Sequence, residues 1–363
     1  MTEQPSVTIG FLGDIMLARG VEAHYLERPH DFAMQDIRSC LADCDHVHAN
    51  LETPVSRIGT AHPKQDPNVC FCADPRTLGV LNNLRVSSVS LANNHVLDYG
   101  PDALTQTQSV LDQAEIARLG AGSDWNEANS PLICKIGPLK VAIVASNFTF
   151  SASTRRAKAR SPGAADHRLG KLEAAVRSLQ DQVDLIIVSV HWGLEYSFYP
   201  LPYIQRAARR LVDSGAQLVI GHGPHYVQPI ERYGAGCIAY SLGNFVFDEP
   251  FPFANVSYVL KIRLRKDKIE DVAICPVEIE NHVPRLVQNC RTRRIKAFVA
   301  HGASRFSRKS RRFWQDLSNT YLRVMLSRAL KTQSFKYLTA NPLGFYRDIG
   351  IRNYLAKLRL IWH

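Results

Sequence analysis

Seven polar residues that follow short apolar runs carry the side-chain types of a metal centre: Asp14, Glu52, Asn94, His95, His191, His222 and His225. The run 217–220 reads as a buried strand stopped by Gly221. Gly223 and Pro224 exclude a helix, so His222 and His225 stand on a strand-terminal loop. Alone, that pair fits either two loop histidines close by coincidence or ligands of one metal or two neighbouring metals. The other strand ends shift the balance. Two carboxylates, one amide oxygen and three imidazoles, with one histidine left over, make a mixed oxygen–nitrogen set without thiolate. Such a set suits Mn, Fe or Zn rather than Mg or Ca alone. Six donors exceed the needs of a single catalytic zinc. They suit two metals ~3.5–4 Å apart with one shared carboxylate, an arrangement for hydrolysing phosphate esters.

Strands must present these groups, and the first part of the chain alternates strands with helices. Strands are expected at 7–12, 45–49, 86–91 and 184–190, each running into one or more of the donors. A hairpin is expected from 131–135 and 139–146 around Gly137-Pro138. Helices are expected at 102–119, behind Pro101, at 168–182 and at 202–214. Residues 151–163 read as a basic, serine-rich loop. Past His225 the rhythm changes to strand-like runs at 226–232, 237–241, 257–265 and 268–277, a β-meander. An α/β protein follows, with two sheets face to face and helices outside.

The 363 residues can bury a full core. Residues 285–363 hold 18 Lys and Arg against 2 Asp, a net of +16. Residues 1–284 therefore carry −5 of the overall +11, as an ordinary mildly acidic enzyme domain does. The division expected is thus 1–284 and 285–363. No signal peptide and no run of the ~20 apolar residues needed to span a bilayer stand out, so a cytoplasmic protein is expected. The eight cysteines form no CxxC pair and read as reduced thiols, with Cys70 and Cys72 as packing.

Six blocks resemble one family. Gly13-Asp14-Ile15-Met16-Leu17, Asn50-Leu51-Glu52-Thr53-Pro54 and Ala92-Asn93-Asn94-His95-Val96-Leu97-Asp98-Tyr99-Gly100 are similar to segments of the CapA-type poly-gamma-glutamate capsule synthesis proteins. His191-Trp192-Gly193-Leu194-Glu195-Tyr196, Gly221-His222-Gly223-Pro224-His225 and Ser241-Leu242-Gly243-Asn244-Phe245-Val246-Phe247-Asp248 continue the resemblance in the family's order, over roughly residues 7–250. That family resembles the calcineurin-like metallophosphatases, which implies a four-layer α/β/β/α sandwich. The resemblance also implies roles. Asp14, Glu52 and His225 hold a first metal; Glu52, Asn94, His191 and His222 hold a second. His95 protonates the leaving group and Asp98 orients it. One departure is visible: phosphoesterases of that superfamily carry Asp-x-His at the first strand, and Met16 stands there instead. A thioether is a poor ligand for such ions, so the first site is the depleted one.

Arg19 is a candidate clamp for an anionic substrate, and Asn244 either faces the site or closes a turn. Trp192 and Tyr196 read as core. The other histidines, His46 and His48 among them, read as structural or surface groups. The stretch 285–363 reads as short helices rich in arginine with interleaved aromatics such as Phe306, Trp314 and Tyr337. It contains no nucleic-acid-binding module. It suits the inner face of an anionic membrane or an anionic polymer, or else a cap packed on the acidic domain. Two functions remain: a metal-dependent hydrolase acting on a phosphoester or polymer intermediate in capsule or exopolysaccharide biosynthesis, or a non-catalytic, metal-stabilised component of a polymer synthesis and export complex.

Overall fold

The first strand divides its side chains between two separate cores. The computed structural model describes residues 6–302 apart from 150, 152, 166, 167, 252, 267 and 289. In it β1 spans Val7–Ile15. Val7, Ile9 and Phe11 point into one core, while Leu12 and Ile15 join another. The strands β2 (His46–Leu51), β3 (Ser88–Ser90) and β4 (Ala117–Leu119) follow β1 in parallel order. Next come β5 (Ala121–Gly122), β6 (Leu132–Ile136), β7 (Leu139–Asn147) and β8 (Gly163–Ala164). After them stand β9 (Leu185–His191), β10 (Leu218–His222), β11 (Ile230–Tyr233) and β12 (Gly236–Ala239). The last four are β13 (Asn244–Val246), β14 (Val256–Arg265), β15 (Lys268–Glu280) and β16 (Val283–Leu286).

One sheet has the order β16-β15-β14-β1-β2-β3-β4, with β13 also paired to β1. The other has the order β11-β12-β10-β9-β7-β6, and β5 pairs with β8 in a small ribbon. Strand alternation explains the layering. Leu185 and Ile187 of β9 face the core between the sheets, whereas Ile186, Val188 and Val190 face outward. Against that outer face lie α6 (Leu169–Leu179) and α7 (Pro202–Asp213), through Leu172, Val176, Ile204 and Leu211. The outer face of the first sheet is covered by α1 (Arg19–Glu27), α2 (Gln35–Cys40), α3 (Gly79–Asn83) and α4 (Gly100–Gln113). A short α5 (Trp125–Asn129) lies beside the ribbon. The result is the expected α/β/β/α sandwich.

Two expectations are corrected. The helix expected to reach Leu119 ends at Gln113, because Glu115 turns left-handed at φ 57 and Ala117–Leu119 form β4. The Ile116 N–H closes back on the Leu111 carbonyl at 3.0 Å, which satisfies the helix end. The expected meander is two pieces: β11 and β12 extend the second sheet, and β13 to β16 return to the first. At that return the chain presses on Gly13, where a Cβ would lie 2.1 Å from the Gly243 carbonyl oxygen, so only glycine fits. The boundary expected after Pro284 falls inside β16. Beyond it α8 (Cys290–His301) buries Val299 in the core between the sheets. The helices expected past residue 302 lie outside the described residues. Among the described residues, no helix is long and apolar enough to cross a membrane.

Candidate metal centre

Parallel strands end on one side of the molecule, and the loops that follow them converge there. Asp14 lies near the end of β1, Glu52 one residue past β2, and His191 and His222 at the ends of β9 and β10. The pairing of β9 with β10 sets His222 beside His191 in register. One donor atom each from Asp14, Glu52 and His191 lie within 4.8 Å of one another, all three buried. These three are drawn from both metal sites that the resemblance implies.

Hydrogen bonds define which donor atoms remain free. His222 Nδ1 donates to Asp14 Oδ1 at 3.0 Å, so Nε2 carries the lone pair. That Nε2 is buried without a hydrogen-bond partner among the described residues. Both oxygens of Glu52 are buried and unpartnered in the same way. Asn50 Nδ2 donates to Asp14 Oδ1 at 2.9 Å and stands 3.3 Å from His191 Nδ1. The Gly223 N–H donates to Asp14 Oδ2 at 3.2 Å. That glycine sits at φ 102, and a Cβ there would lie 2.9 Å from His191 Nε2. His225 Nδ1 donates to Asn244 Oδ1 at 2.8 Å and lies 3.8 Å from Asp14 Oδ2. Asn244 is therefore a support for His225, and its Nδ2 is buried without a partner among the described residues.

The charges fit a cation. Burial alone would raise the Asp14 carboxyl, but the His222 hydrogen bond and the surrounding imidazoles hold it well below the usual carboxylate range. Burial, followed by the charges of Asp14, Glu195, Asp98 and Glu249, pushes Glu52 well up. Burial pushes His191 down to about 3, leaving a neutral ring, the form that binds metal. An unpartnered buried carboxylate beside an ionised one, with a bare imidazole nitrogen, is a donor set for a divalent ion.

His95 belongs to a separate arrangement. Its Nδ1 donates to Asp98 Oδ2 at 2.7 Å, and its Nε2 lies 3.9 Å from Glu52 Oε1. The other Asp98 oxygen accepts from the Ser153 hydroxyl. Asn94 is buried, with its side-chain oxygen accepting from Thr149 Oγ1 at 3.3 Å and its carbonyl from Ser151 Oγ at 2.9 Å, and no hydrogen bond among the described residues joins it to the cluster.

Other sequence-predicted residues sit differently. Met16 is wholly buried and its Sδ accepts the Ala18 N–H at 3.1 Å, so the thioether is closed off by its own backbone. Arg19 is paired with Asp248 through two nitrogens and also donates to the Asn68 carbonyl at 2.6 Å. Trp192 and Tyr196 are core, with Trp192 Nε1 donating to the Tyr240 carbonyl at 3.0 Å. Cys70 and Cys72 are free thiols that donate to backbone carbonyls. Sequence reasoning missed Asn50, Phe71 and Ser153. Asn50 opens the Asn50–Pro54 segment that carries Glu52 and was findable there; Phe71 and Ser153 stand in loops without a local signal.

A layered α/β/β/α sandwich thus carries a buried carboxylate–imidazole cluster where both sheets end, a cluster that could hold a metal ion. The chain belongs to the bacterial capsule synthesis protein PGA_cap family, which matches residues 8–249. The capsule biosynthesis protein CapA of Bacillus anthracis is 29% identical over 290 residues, covering 78% of this chain and 70% of that protein. The PGA biosynthesis protein CapA of Bacillus subtilis is 28% identical over 280 residues, covering 77% and 73%. Among solved structures, a novel phosphatase from Mycoplasma pneumoniae aligns at 11% identity with a TM-score of 0.49, over 81% of this chain and 99% of that one.

Proposed function

We propose that this protein is a metal-dependent hydrolase of the phosphoesterase type, acting on a phosphoester or polymer intermediate in capsular polymer synthesis. One observation carries the reading: a histidine–aspartate pair, His95 and Asp98, stands beside the metal cluster instead of joining it. A structural metal site has no need of an unliganded histidine beside the ion, whereas hydrolysis needs a proton donor for the leaving oxygen.

Asp14, Glu52, His191 and His222 hold the better-formed position, with Asn94 and His225 completing a set for one or two ions of Mn, Fe or Zn. An ion held there would supply Lewis acidity and activate a water. His95 Nε2 delivers a proton to the departing oxygen, and Asp98 fixes the ring through Nδ1. Asn244 Nδ2 offers a free donor to substrate. The buried thioether of Met16 favours a single strong site and keeps the second reading alive, a metal-stabilised part of a synthesis complex. The basic stretch 285–363 is proposed to meet an anionic polymer or the cytoplasmic membrane face. The test is metal content of the purified protein together with hydrolysis of a phosphoester panel, with and without Mn. Bound metal with Mn-dependent turnover supports the hydrolase; bound metal with no turnover on any ester favours the second reading.

A further inference from the structure

We propose that Phe71, Arg19 and Asp248 are positioning residues for His95, forming a stack that fixes the plane of its ring. The inference rests on His95 as the proton donor. A ring held only through Nδ1 can still rotate about that hydrogen bond and swing Nε2 away from the cluster. Phe71 removes that freedom. Its ring stacks on His95 with centroids 4.3 Å apart and 28° between planes. Its backbone N–H donates at 2.8 Å to Asp98 Oδ2, the oxygen that also accepts from His95 Nδ1. One residue thus grips both members of the pair.

Phe71 is itself held. The Arg19 guanidinium carbon lies 4.7 Å from the centre of the Phe71 ring. The imidazole and the guanidinium thus both pack against the same phenyl ring. Arg19 is anchored by Asp248, which accepts from its Nε at 3.2 Å and from a second guanidinium nitrogen. Asp248 also accepts the Gly20 N–H at 3.0 Å, which ties the start of α1 to the same carboxylate. The pairing neutralises Arg19. The residue that the sequence offers as an anion clamp becomes the outer support of the proton donor.

The test compares an alkyl phosphate, such as glycerol phosphate, with an aryl phosphate, such as p-nitrophenyl phosphate, on the full-length Mn-loaded chain. Only the alkyl ester needs a proton on its leaving oxygen. Phe71→Leu is expected to lower kcat on the alkyl ester by about 10–100-fold, as misplacement by ~1 Å does, and to spare the aryl ester. Asp248→Asn, at the far end of the stack, is expected to give a smaller loss with the same selectivity. Neither change should add to the loss in a His95→Ala background. Equal losses on both esters, or further loss in that background, overturn the positioning role while leaving His95 as the donor. If His95→Ala costs nothing on the alkyl ester, the proton-donor reading fails and the inference fails with it. Metal content of each variant separates a displaced ring from a lost centre.

Discussion

Glu52, with two buried and unpartnered oxygens, and His222, with a bare Nε2 set by its bond to Asp14, are groups that a protein does not leave unsatisfied without a ligand. If these atoms and His191 hold the ion, the double change His191→Ala and His222→Ala abolishes bound metal in the purified protein. Elemental analysis showing metal retained would contradict the assignment. Gly223 is a second residue-scale test. At φ 102 and 2.9 Å from His191 for any added Cβ, Gly223→Ala strains the turn by ~1–3 kcal/mol and pushes on a ligand. The expected outcome is a lowered denaturation midpoint together with weakened metal binding. An unchanged midpoint with full metal occupancy counts against this account of the loop.

At the scale of elements, β2 carries a pH dependence. His46 and His48 are buried and share the Ser88 hydroxyl at 2.7 and 2.8 Å; His48 also reaches Ser189 of the facing sheet at 3.1 Å. Burial lowers His46 from 6.5 to about 4 and lowers His48 as well. Both rings are therefore neutral in the fold, while the unfolded chain takes up protons below 6.5. Their stabilisation is complete above that value and is lost as pH falls from 6.5 toward 4, by about 3 kcal/mol for His46 at most. A urea midpoint that drops over this range, less steeply in His46→Gln, is the expected result; an identical slope in the variant contradicts it. The elements also show what the sequence made legible. Apolar β-branched runs ending in polar residues gave the strands and their donors, because alternation and turn chemistry are local. The end of α4 at Gln113 was hidden because Glu115, not glycine, takes the left-handed position. The Arg19–Asp248 pair and the stacking of Phe71 on His95 join loops far apart in sequence, and no local spacing encodes such contacts.

At the scale of the whole molecule, charge is segregated. Residues 303–363 hold 13 of the 18 Lys and Arg found after Pro284, against 2 Asp. Among the described residues, which end at Gly302, the cores are already lined by buried side chains up to Val299. The full chain is expected to pellet with anionic vesicles and to release as salt is added, whereas a chain ending at Gly302 stays folded and unbound. Equal binding by the shortened chain removes the membrane role from that stretch. The central claim, that the metal centre performs hydrolysis with His95 as proton donor, is tested most directly by measuring turnover and metal content of His95→Ala side by side. The account predicts that the variant keeps its metal and its fold and loses ~10²–10⁴-fold in rate on an alkyl phosphate. Metal retained with turnover unchanged would contradict it.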